Sequence, residues 1–589
     1  MVVLAVPLVV ALAGLRSHRW YPVLDLAQTE LRVRDVASAY PPLLGLVGRL
    51  GDQSRPGSHP GPLSFFSLWP LYALAGRTSW ALRLSSSALS VVAMAGTIWL
   101  AARRGGVRLV LAAGAVLAVV LAAYGPEIPV EAWNPYLPAF WWVAVVFGVW
   151  SALEGDVVAL PLTVFAASMC AQTHVSYLGL VGGMALVVVA SVAVLVRRHR
   201  ADRPELRRIV SWTAASALLG AVLWIPPVAQ QIGGDDPNMS IIWRDFAHPV
   251  EAPIGVRRGL EAVLANLSPL RLVSGLTEDP HGPLLPGIAL VVVWGLAALV
   301  AWRLLPDRRI TRLHGVLGLT LVLAAVSAAS IHGHVWYYLL LWCWSLAALM
   351  LLAIAWTAWG WWGHHLGGAP PGRAAHAPVA VGMAVLVAFS GVATARATDF
   401  RTRSGSESDA LGGVVPATVR QLDRRWGGKR GDPRLLVTFT DHLGLGGQGW
   451  GLLNELVRAG FDARVSVALG PGAGGGHRVT TPARADAVVH LSVGPDIARW
   501  DRRPGARRIA YHEPRSAAER AEYARLRRGL IRRLRSLGLD DLVPKVDSLL
   551  FAVGVDPRVP SDVGPVVNRM LELGLPLAVF VGPPRLATG

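Results

Sequence analysis

Charged residues are scarce in this chain of 589 residues, and cysteine and lysine are nearly absent. Charged residues make up 16% of the chain and hydrophobic residues 53%, and the mean hydropathy is +0.45. This composition excludes an ordinary soluble domain, which carries more charge and less apolar content. The two cysteines, Cys170 and Cys343, both fall inside apolar runs. They indicate inert core positions, so no disulfide pattern identifies the compartment.

Lysine occurs only at Lys429 and Lys545, and arginine supplies nearly all the positive charge behind the formal net charge of +18. Such arginine usage is typical of a GC-rich genome, such as that of an actinobacterium. We expect no nucleic-acid partner, because basic cytoplasmic loops and an arginine-rich C-terminal part explain the charge. No basic stretch precedes the first apolar run, which favours a transmembrane helix over a cleaved signal peptide.

Long apolar runs with few charges dominate the first 400 residues. Runs of about 20 such residues can cross a bilayer, and these lack the polar stripe of a helix packed on a soluble core. The sequence therefore predicts an α-helical polytopic membrane protein with about eleven spans. The predicted spans are residues 1–18, 80–102, 107–124, 137–154, 157–175, 177–196, 209–229, 285–303, 313–331, 335–359 and 377–395.

Arginines concentrate in three short loops, at residues 103–108, 197–208 and 303–312. Alternating connections place all three loops on one side of the plasma membrane, and the positive-inside rule makes that side cytoplasmic. The first outer loop also holds several arginines, but long loops weigh little in this rule. The long loops 19–79 and 230–284 are then expected outside, together with everything after residue 396.

The pattern of the chain changes after the last predicted span. Residues 1–395 form the predicted transmembrane domain, and the polar stretch 396–431 is a predicted linker. Short strands then alternate with amphipathic helices from residue 432 to 589. This alternation predicts a soluble, extracytoplasmic α/β domain.

Five charged residues lie just past the first predicted span, in the outer loop 19–79: Asp25, Glu30, Arg32, Arg34 and Asp35. In a helix, Glu30 and Arg34 are i,i+4 neighbours, and Arg32 and Asp35 are i,i+3 neighbours. Asp25 stands apart as an unpaired carboxylate, which suits a general base, while the arginines suit phosphate. The plainer interpretation is a solvated, salt-bridged helix in a loop.

Other polar residues lie at the ends of predicted spans on the same outer side. His59 precedes a proline turn, His174 ends the fifth span, and His332 and Tyr337 begin the tenth. Together they indicate a substrate-binding cavity. His59 is either part of that cavity or a structural histidine that packs the turn. His332 and His334 have the spacing of metal ligands, but two histidines do not define a site, so a divalent metal is left open.

The order of these features resembles the GT-C superfamily of membrane glycosyltransferases, in particular the branch with protein mannosyltransferases and the lipid A aminoarabinose transferase. An early Asp25 is followed by His59-Pro60-Gly61-Pro62, a short apolar segment, and Trp80-Ala-Leu-Arg83-Leu-Ser85 at the start of the next span. Gly61 and Ser85 stand where the family pattern has proline. In topology the resemblance covers roughly the first 360 residues.

The resemblance implies that Asp25 is the catalytic base and that the donor is a sugar on a polyprenyl phosphate, attacked with inversion. The acceptor would be a hydroxyl of a cell-envelope glycan, lipid or protein. Two other interpretations stay open. One is a transporter or flippase for a lipid-linked sugar, which often carries internal repeats and broken helices. The other is a non-catalytic membrane scaffold whose outer domain binds glycan.

Overall fold

The computed structural model describes residues 1–51, 55–234, 237–249, 251–365, 376–402, 404–440 and 447–588. The chain divides into two compact units. The membrane unit consists of Met1–Ser17 and Pro42–Phe400, and the α/β unit of His18–Pro41 and Arg401–Gly589. The segment that follows the first helix therefore contributes to both units.

The first 400 residues are mostly helical. The helices are α1 Val2–Arg16, α2 Leu24–Asp35, α3 Leu63–Leu74, α4 Ser79–Tyr124, α5 Glu127–Val130, α6 Ala139–Leu153, α7 Leu160–Thr173, α8 Leu178–Arg198, α9 Arg203–Leu223, α10 Ile225–Gly233, α11 Asn238–Ala247, α12 Gly255–Asn266, α13 Pro269–Ser274, α14 Leu285–Leu304, α15 Arg308–Ala329, α16 Leu341–His365 and α17 Ala377–Thr398. Strands β1 Val47–Gly51 and β2 Pro56–Ser58 form an antiparallel pair. Single turns of 3-10 helix lie at Val157–Ala159, Val175–Tyr177 and Tyr337–Leu340.

Helices and strands alternate in the C-terminal third. They are α18 Gly405–Arg425, β3 Arg434–Phe439, α19 Gly447–Arg458, β4 Asp462–Arg464, α20 Gly470–Ala473, β5 Ala487–Val493, α21 Asp496–Asp501, β6 Arg507–His512, α22 Ala517–Ser536, α23 Lys545–Ser548, α24 Leu550–Val555, α25 Val563–Leu573 and β7 Leu577–Gly582. Further 3-10 turns are Val467–Leu469, Gly476–Arg478, Pro482–Arg484, Asp540–Leu542 and Pro584–Thr588.

Seven helical segments are long and apolar enough to cross a membrane: Ser79–Tyr124, Val175–Arg198, Arg203–Leu223, Leu285–Leu304, Arg308–Ala329, Tyr337–His364 and Ala377–Thr398. The first contains two helices joined at Gly105 and Gly106, whose backbone angles are not helical. Helices α1, α6 and α7 are apolar but shorter. Every predicted span thus contains a helix, while the count of eleven spans stays a prediction.

Helix α6 is the most deeply buried element of the membrane unit. All of its residues except Leu153 are buried, among them Trp141, Trp142 and Trp150. A helix that is apolar on every side lies in the centre of a bundle. By contrast, α8, α9, α14 and α17 have few buried residues, although their sequences are apolar. Such surfaces are compatible with lipid, which accepts apolar side chains without requiring burial in protein.

The α/β unit is built on a five-stranded sheet with the order β4-β3-β5-β7-β6. Strands β4, β3 and β5 run parallel to one another, whereas β7 is antiparallel to both β5 and β6. Every residue of β5 and β7 is buried, as expected for central strands with both faces covered. The predicted C-terminal α/β fold is therefore present.

Residues 405–425, which the sequence predicted to lie in a linker, form helix α18. Its residues Leu411, Val414, Thr418 and Leu422 recur at helical spacing and are fully buried in the core of the α/β unit. The polar first turn and the internal Gly412 and Pro416 obscure this stripe in the sequence, because such residues are typical of loops.

Helix α2 also belongs to the core of the α/β unit. Val23, Ala27 and Leu31 are fully buried there, and their i,i+4,i+8 spacing forms one apolar face. Close approach requires glycine at position 451, since a Cβ atom there would lie 2.6 Å from the Pro22 carbonyl oxygen. The predicted boundary at residue 432 thus omits α18 and α2 from the unit.

We predict that residues 401–589 do not fold cooperatively without residues 18–41. Full burial of Val23 and Leu31 is worth about 1.5–3 kcal/mol each, which is a large share of the 5–15 kcal/mol typical of a domain. A fusion of 18–41 to 401–589 through a flexible linker should show a cooperative thermal transition by near-UV circular dichroism. The matched control is the same fusion with Ala27→Asp. If 401–589 alone melts at the temperature of the fusion, α2 is not part of the core.

Candidate functional site

His59 is held by backbone contacts from two segments of the membrane unit. Its amide donates to the Leu46 carbonyl at 2.8 Å, and its carbonyl accepts from the Gly45 amide at 3.0 Å. Its ring Nδ1 accepts from the Val175 amide at 3.1 Å. Because Nδ1 is an acceptor, the proton of the neutral ring resides on Nε2. Burial lowers the pKa of His59 to about 4, so this ring is neutral at physiological pH.

Gly61 explains the departure from the proline of the family pattern. Its amide donates to the Gln172 carbonyl at 3.0 Å, a bond that proline cannot make. A Cβ atom at position 61 would also lie 2.3 Å from Oε1 of Gln172. Glycine therefore brings the His59 turn against the end of helix α7, where His174 follows.

The rings of His59 and His174 contact each other at one end of the membrane helices. Their ring centroids are 4.6 Å apart with an interplanar angle of 30°, and both side chains are buried. His174 follows the last residue of α7, and its Nδ1 lies 2.7 Å from the Ser176 hydroxyl. The structure therefore brings these two predicted site residues together, although 115 positions separate them in the sequence.

Partly exposed aromatic rings extend the site from His174. The Tyr338 ring lies edge-on to His174 at 6.2 Å and to Trp133 at 4.9 Å, and it stacks in parallel with Trp336 at 6.2 Å. We call His59, His174, Trp133, Trp336 and Tyr338 the histidine–aromatic cluster. Its residues come from the segment after β2, the loop between α5 and α6, the end of α7 and the segment just before α16. The ends of several helices therefore form one surface.

Tyr337 is part of a chain of hydrogen bonds beside this cluster. Its hydroxyl lies 2.5 Å from that of Tyr136, which donates to Oε1 of Glu127 at 2.7 Å. Since Tyr136 uses its proton on Glu127, Tyr337 is the donor in the first bond. Glu127 and Tyr136 were not among the predicted site residues. Their signal in the sequence is acidic residues next to a Trp133-Asn-Pro-Tyr136 run in a short loop between spans.

Arg49 is an exposed cation next to the histidine–aromatic cluster, and the sequence did not single it out. It lies on β1 directly after Gly48, and a Cβ atom added at Gly48 would lie 3.4 Å from the ring of His59. Its guanidinium donates to the His334 carbonyl at 3.2 Å, and His334 contacts Trp336 at a ring distance of 4.4 Å. Among the described residues, no ion pair is recorded for Arg49 within 4.0 Å.

His332 lies apart from the predicted pairing with His334. Its Nδ1 is 3.7 Å from Oδ2 of Asp245, and Asp245 also accepts from the Gly51 amide at 3.1 Å. Within the part of the chain that the structure describes, no group of three or more His, Cys, Asp or Glu residues is arranged to hold a metal ion.

The other predicted residues lie on α2, in the α/β unit. Asp25 is half-buried in the first turn of α2 and is not the unpaired carboxylate that its spacing suggested, since it takes part in an interaction of its own. The preceding residue, Leu24, has a φ of +51°. This left-handed conformation is costly for a residue with a bulky side chain.

Glu30 and Asp35 are buried carboxylates with arginine partners. Glu30 accepts from Arg34 at 3.1 Å and from Asn454 at 2.9 Å, and it pairs with Arg458 at 2.5 Å. Asp35 accepts two bonds from Arg478, at 2.5 and 2.6 Å. Burial alone would raise the pKa of Asp35, but the nearby His477 ring and the hydrogen bonds from Arg478 outweigh burial and hold the pKa below its usual value.

The predicted phosphate-binding arginines of α2 are engaged within the α/β unit. Arg32 is 8% exposed and donates to the Gly474 carbonyl, and burial lowers its pKa to about 10. Arg34 forms the i,i+4 pair with Glu30 that the spacing predicted. These contacts leave neither guanidinium fully open to a ligand.

The chain resembles known proteins in structure rather than in sequence. No protein-family profile and no curated protein matches the chain. ArnT from Cupriavidus metallidurans in the apo state aligns at 14% identity with a TM-score of 0.48, over 86% of this chain and 95% of ArnT. ArnT bound to undecaprenyl phosphate aligns over the same shares at 14% identity and a TM-score of 0.47. The apo oligosaccharyltransferase of Archaeoglobus fulgidus aligns at 11% identity and a TM-score of 0.39, over 78% of this chain and 63% of that protein.

We predict that buried His59 makes the protein sensitive to mild acid. Its pKa rises from about 4 in the folded chain to about 6.5 when unfolded. The unfolded chain therefore binds the extra proton between these values, and stability is lost as the pH falls from 6.5 towards 4. At pH 5 the loss is about 2 kcal/mol relative to pH 8.

His59→Gln should reduce the drop in melting temperature between pH 8 and pH 5, measured on the full chain in detergent. The matched control is His281→Gln, because His281 is 72% exposed and its loss should leave the drop unchanged. Equal drops in the wild type and in His59→Gln would show that His59 is not the group responsible.

Proposed function

We propose that this protein is a GT-C-type integral membrane glycosyltransferase that moves a sugar from a polyprenyl-phosphate donor to a hydroxyl acceptor. The observation that carries the proposal is the histidine–aromatic cluster with Arg49 beside it, at the end of an apolar helix bundle. An amphiphilic donor requires this combination, since its lipid is apolar while its phosphate and sugar are polar. The resemblance of the Asp25, His59 and Trp80 motifs supports the same assignment.

Asp25 is the proposed general base. A neutral hydroxyl is a poor nucleophile, so a carboxylate must accept its proton as the bond to C1 of the sugar forms. Attack opposite the leaving phosphate inverts the configuration at C1. A half-buried carboxylate in the first turn of a helix also benefits from the positive end of the helix dipole, which favours its ionised form.

Arg49 is the proposed phosphate-binding residue. The leaving lipid phosphate gains charge as the glycosidic bond breaks, and a fixed cation stabilises that charge. The guanidinium of Arg49 is exposed, and its recorded bond is to a backbone carbonyl. Arg32 and Arg34 are less suited, because each is engaged with the α/β unit or with Glu30.

The aromatic rings are the proposed sugar-binding surface. Trp133, Trp336 and Tyr338 are partly exposed and offer flat apolar faces beside polar groups, which is the usual composition of a ligand site. The neutral ring of His59 carries its proton on Nε2, which is the proposed donor to the sugar, and Tyr337 adds a hydroxyl to the polar side of this surface. The acceptor is proposed to be a glycan, lipid or protein of the cell envelope, on the extracytoplasmic side of the plasma membrane.

A flippase for the same lipid is the competing function that can be tested in the same vesicles. Transporters of this kind place substrate sites near the middle of the bilayer, between internal repeats. In this structure the histidine–aromatic cluster lies at helix ends instead. A flippase would move the lipid without breaking the bond between sugar and phosphate, so the two functions give different products.

Asp25→Asn is expected to lower the rate of sugar transfer by about 10²–10⁴-fold, because it removes the base and keeps the size of the side chain. Transfer is measured in proteoliposomes with a set of undecaprenyl-phosphate sugars. Asp540→Asn is the matched control, since Asp540 is an exposed carboxylate of the same unit. Transfer at the control rate would exclude Asp25 as the base. Movement of labelled lipid without transfer by the wild type would favour the flippase.

Arg49→Gln is expected to lower kcat/KM for the donor by about 10–100-fold, because a hydrogen bond to a charged group is worth about 1.5–3 kcal/mol. Binding of undecaprenyl phosphate alone should weaken in parallel. Arg257→Gln is the matched control in the same unit, since Arg257 is 89% exposed and pairs with Glu261. Unchanged binding of undecaprenyl phosphate would assign the phosphate to another residue.

A further inference from the structure

The backbone next to Asp25 is strained. Among the described residues, Leu24 and Arg77 are the non-glycine positions with positive φ, and Leu24 directly precedes the proposed base. Strained backbone conformations persist only where the surrounding structure enforces them, and they concentrate at functional sites. Something in the α/β unit must therefore hold the first turn of α2 in place.

One set of contacts holds the middle of α2. The Glu30 side chain is 0% exposed and receives bonds from Asn454 and Arg458 of α19. Arg458 also lies 3.2 Å from Glu455, so this one cation contacts two buried carboxylates. Glu30 is five residues from Asp25, a little more than one helical turn. The bonds from α19 to Glu30 therefore restrict rotation of α2 near the base.

A second set of contacts holds the C-terminal end of α2. Arg478 donates two bonds to Asp35, and Nε2 of His477 lies 3.5 Å from the same carboxylate. The Arg478 guanidinium also donates to the Ala473 carbonyl at 3.1 Å. A two-bond arginine–carboxylate pair fixes orientation as well as distance. Helix α2 is thus fixed at two points by separate segments of the C-terminal chain.

Apolar packing alone would not fix the helix in this way. Val23, Ala27 and Leu31 bury apolar surface in the core. Apolar contact is non-directional, however, so it tolerates small rotations of α2. Buried ion pairs add little to stability relative to apolar replacements. Their geometry is strict, however, because a small shift leaves a buried charge without its partner. The paired charges on α2 are therefore suited to placing this helix precisely.

We propose that Glu30 with Arg458, and Asp35 with Arg478, are positioning pairs that hold the strained first turn of α2 and so orient the carboxylate of Asp25. This inference rests on the proposed function of Asp25 as a base. It gives the C-terminal part of the chain a defined task in the reaction, because residues 458 and 478 act through the helix that carries residue 25.

The first test measures amide exchange by mass spectrometry in the full chain in nanodiscs, so it needs no substrate. Arg478→Lys keeps the charge and loses the two-bond geometry. Exchange in peptides covering residues 24–35 is expected to rise at least about tenfold. Arg527→Lys is the matched control, since Arg527 of α22 also makes a two-bond pair with a carboxylate, that of Asp547 on α23. Equal exchange of α2 in both variants would overturn the holding role.

The second test measures transfer kinetics on the same variants. Arg478→Lys is expected to lower kcat by up to about 10²-fold, the effect of misplacing a reacting group by about 1 Å. KM for the donor should stay within about twofold. A kcat equal to that of the control, with faster exchange of α2, would make the pairs structural only. If the wild type transfers no sugar, the proposed function fails, while exchange still decides whether the pairs hold α2.

A third variant tests the link to the strain at Leu24. Glycine adopts positive φ without cost, whereas alanine does not. In the Arg478→Lys background, Leu24→Gly should recover kcat at least about fivefold over Leu24→Ala, since both remove the same side chain and only glycine relieves the strain. Equal kcat values for the two double variants would overturn the proposal that the pairs act by enforcing this conformation.

Discussion

The burial of helix α2 among the C-terminal segments is the constraint on which the α/β unit depends. A helix from near the N-terminus completes a core that otherwise comes from residues after 400. It brings two carboxylates, Glu30 and Asp35, into that core, and each needs a cation there because an unpaired buried charge is very costly. The arginines at 458 and 478 meet this need.

The membrane unit solves a different problem, which is to place polar groups next to an apolar bundle. It does so at helix ends, where backbone groups are already exposed and can bond side chains. His59 accepts from the amide of Val175, and the Gly61 amide donates to the end of α7. Burial keeps the His59 ring neutral, and no carboxylate among the described residues pairs with it. Arg49 remains exposed beside the two histidines. The histidines therefore have a structural role, while the role we propose for the arginine is binding.

The charged groups of α2 and those of the histidine–aromatic cluster differ in burial and in pairing. On α2 the charges are buried, paired and rigid, as positioning requires. Around the histidine–aromatic cluster the rings are partly exposed and the cation is open, as binding requires. This division accounts for the positions of the predicted residues: Glu30, Asp35, Arg32 and Arg34 hold a helix, while His59, His174 and Tyr337 are buried beside the partly exposed aromatic rings.

The membrane character, the helices of the apolar runs and the C-terminal sheet followed from the sequence alone, because hydropathy and periodicity are local properties. The i,i+4 pair of Glu30 and Arg34 was equally local. Tertiary structure decided the rest. Leu411 and Leu422 make residues 405–425 a core helix only because the unit has a face that accepts them, and α2 joins that unit through Val23, Ala27 and Leu31. The partners Arg458 and Arg478 lie more than 420 positions from α2 in the chain. No local pattern encodes such a pairing, since it arises only when distant segments share one core.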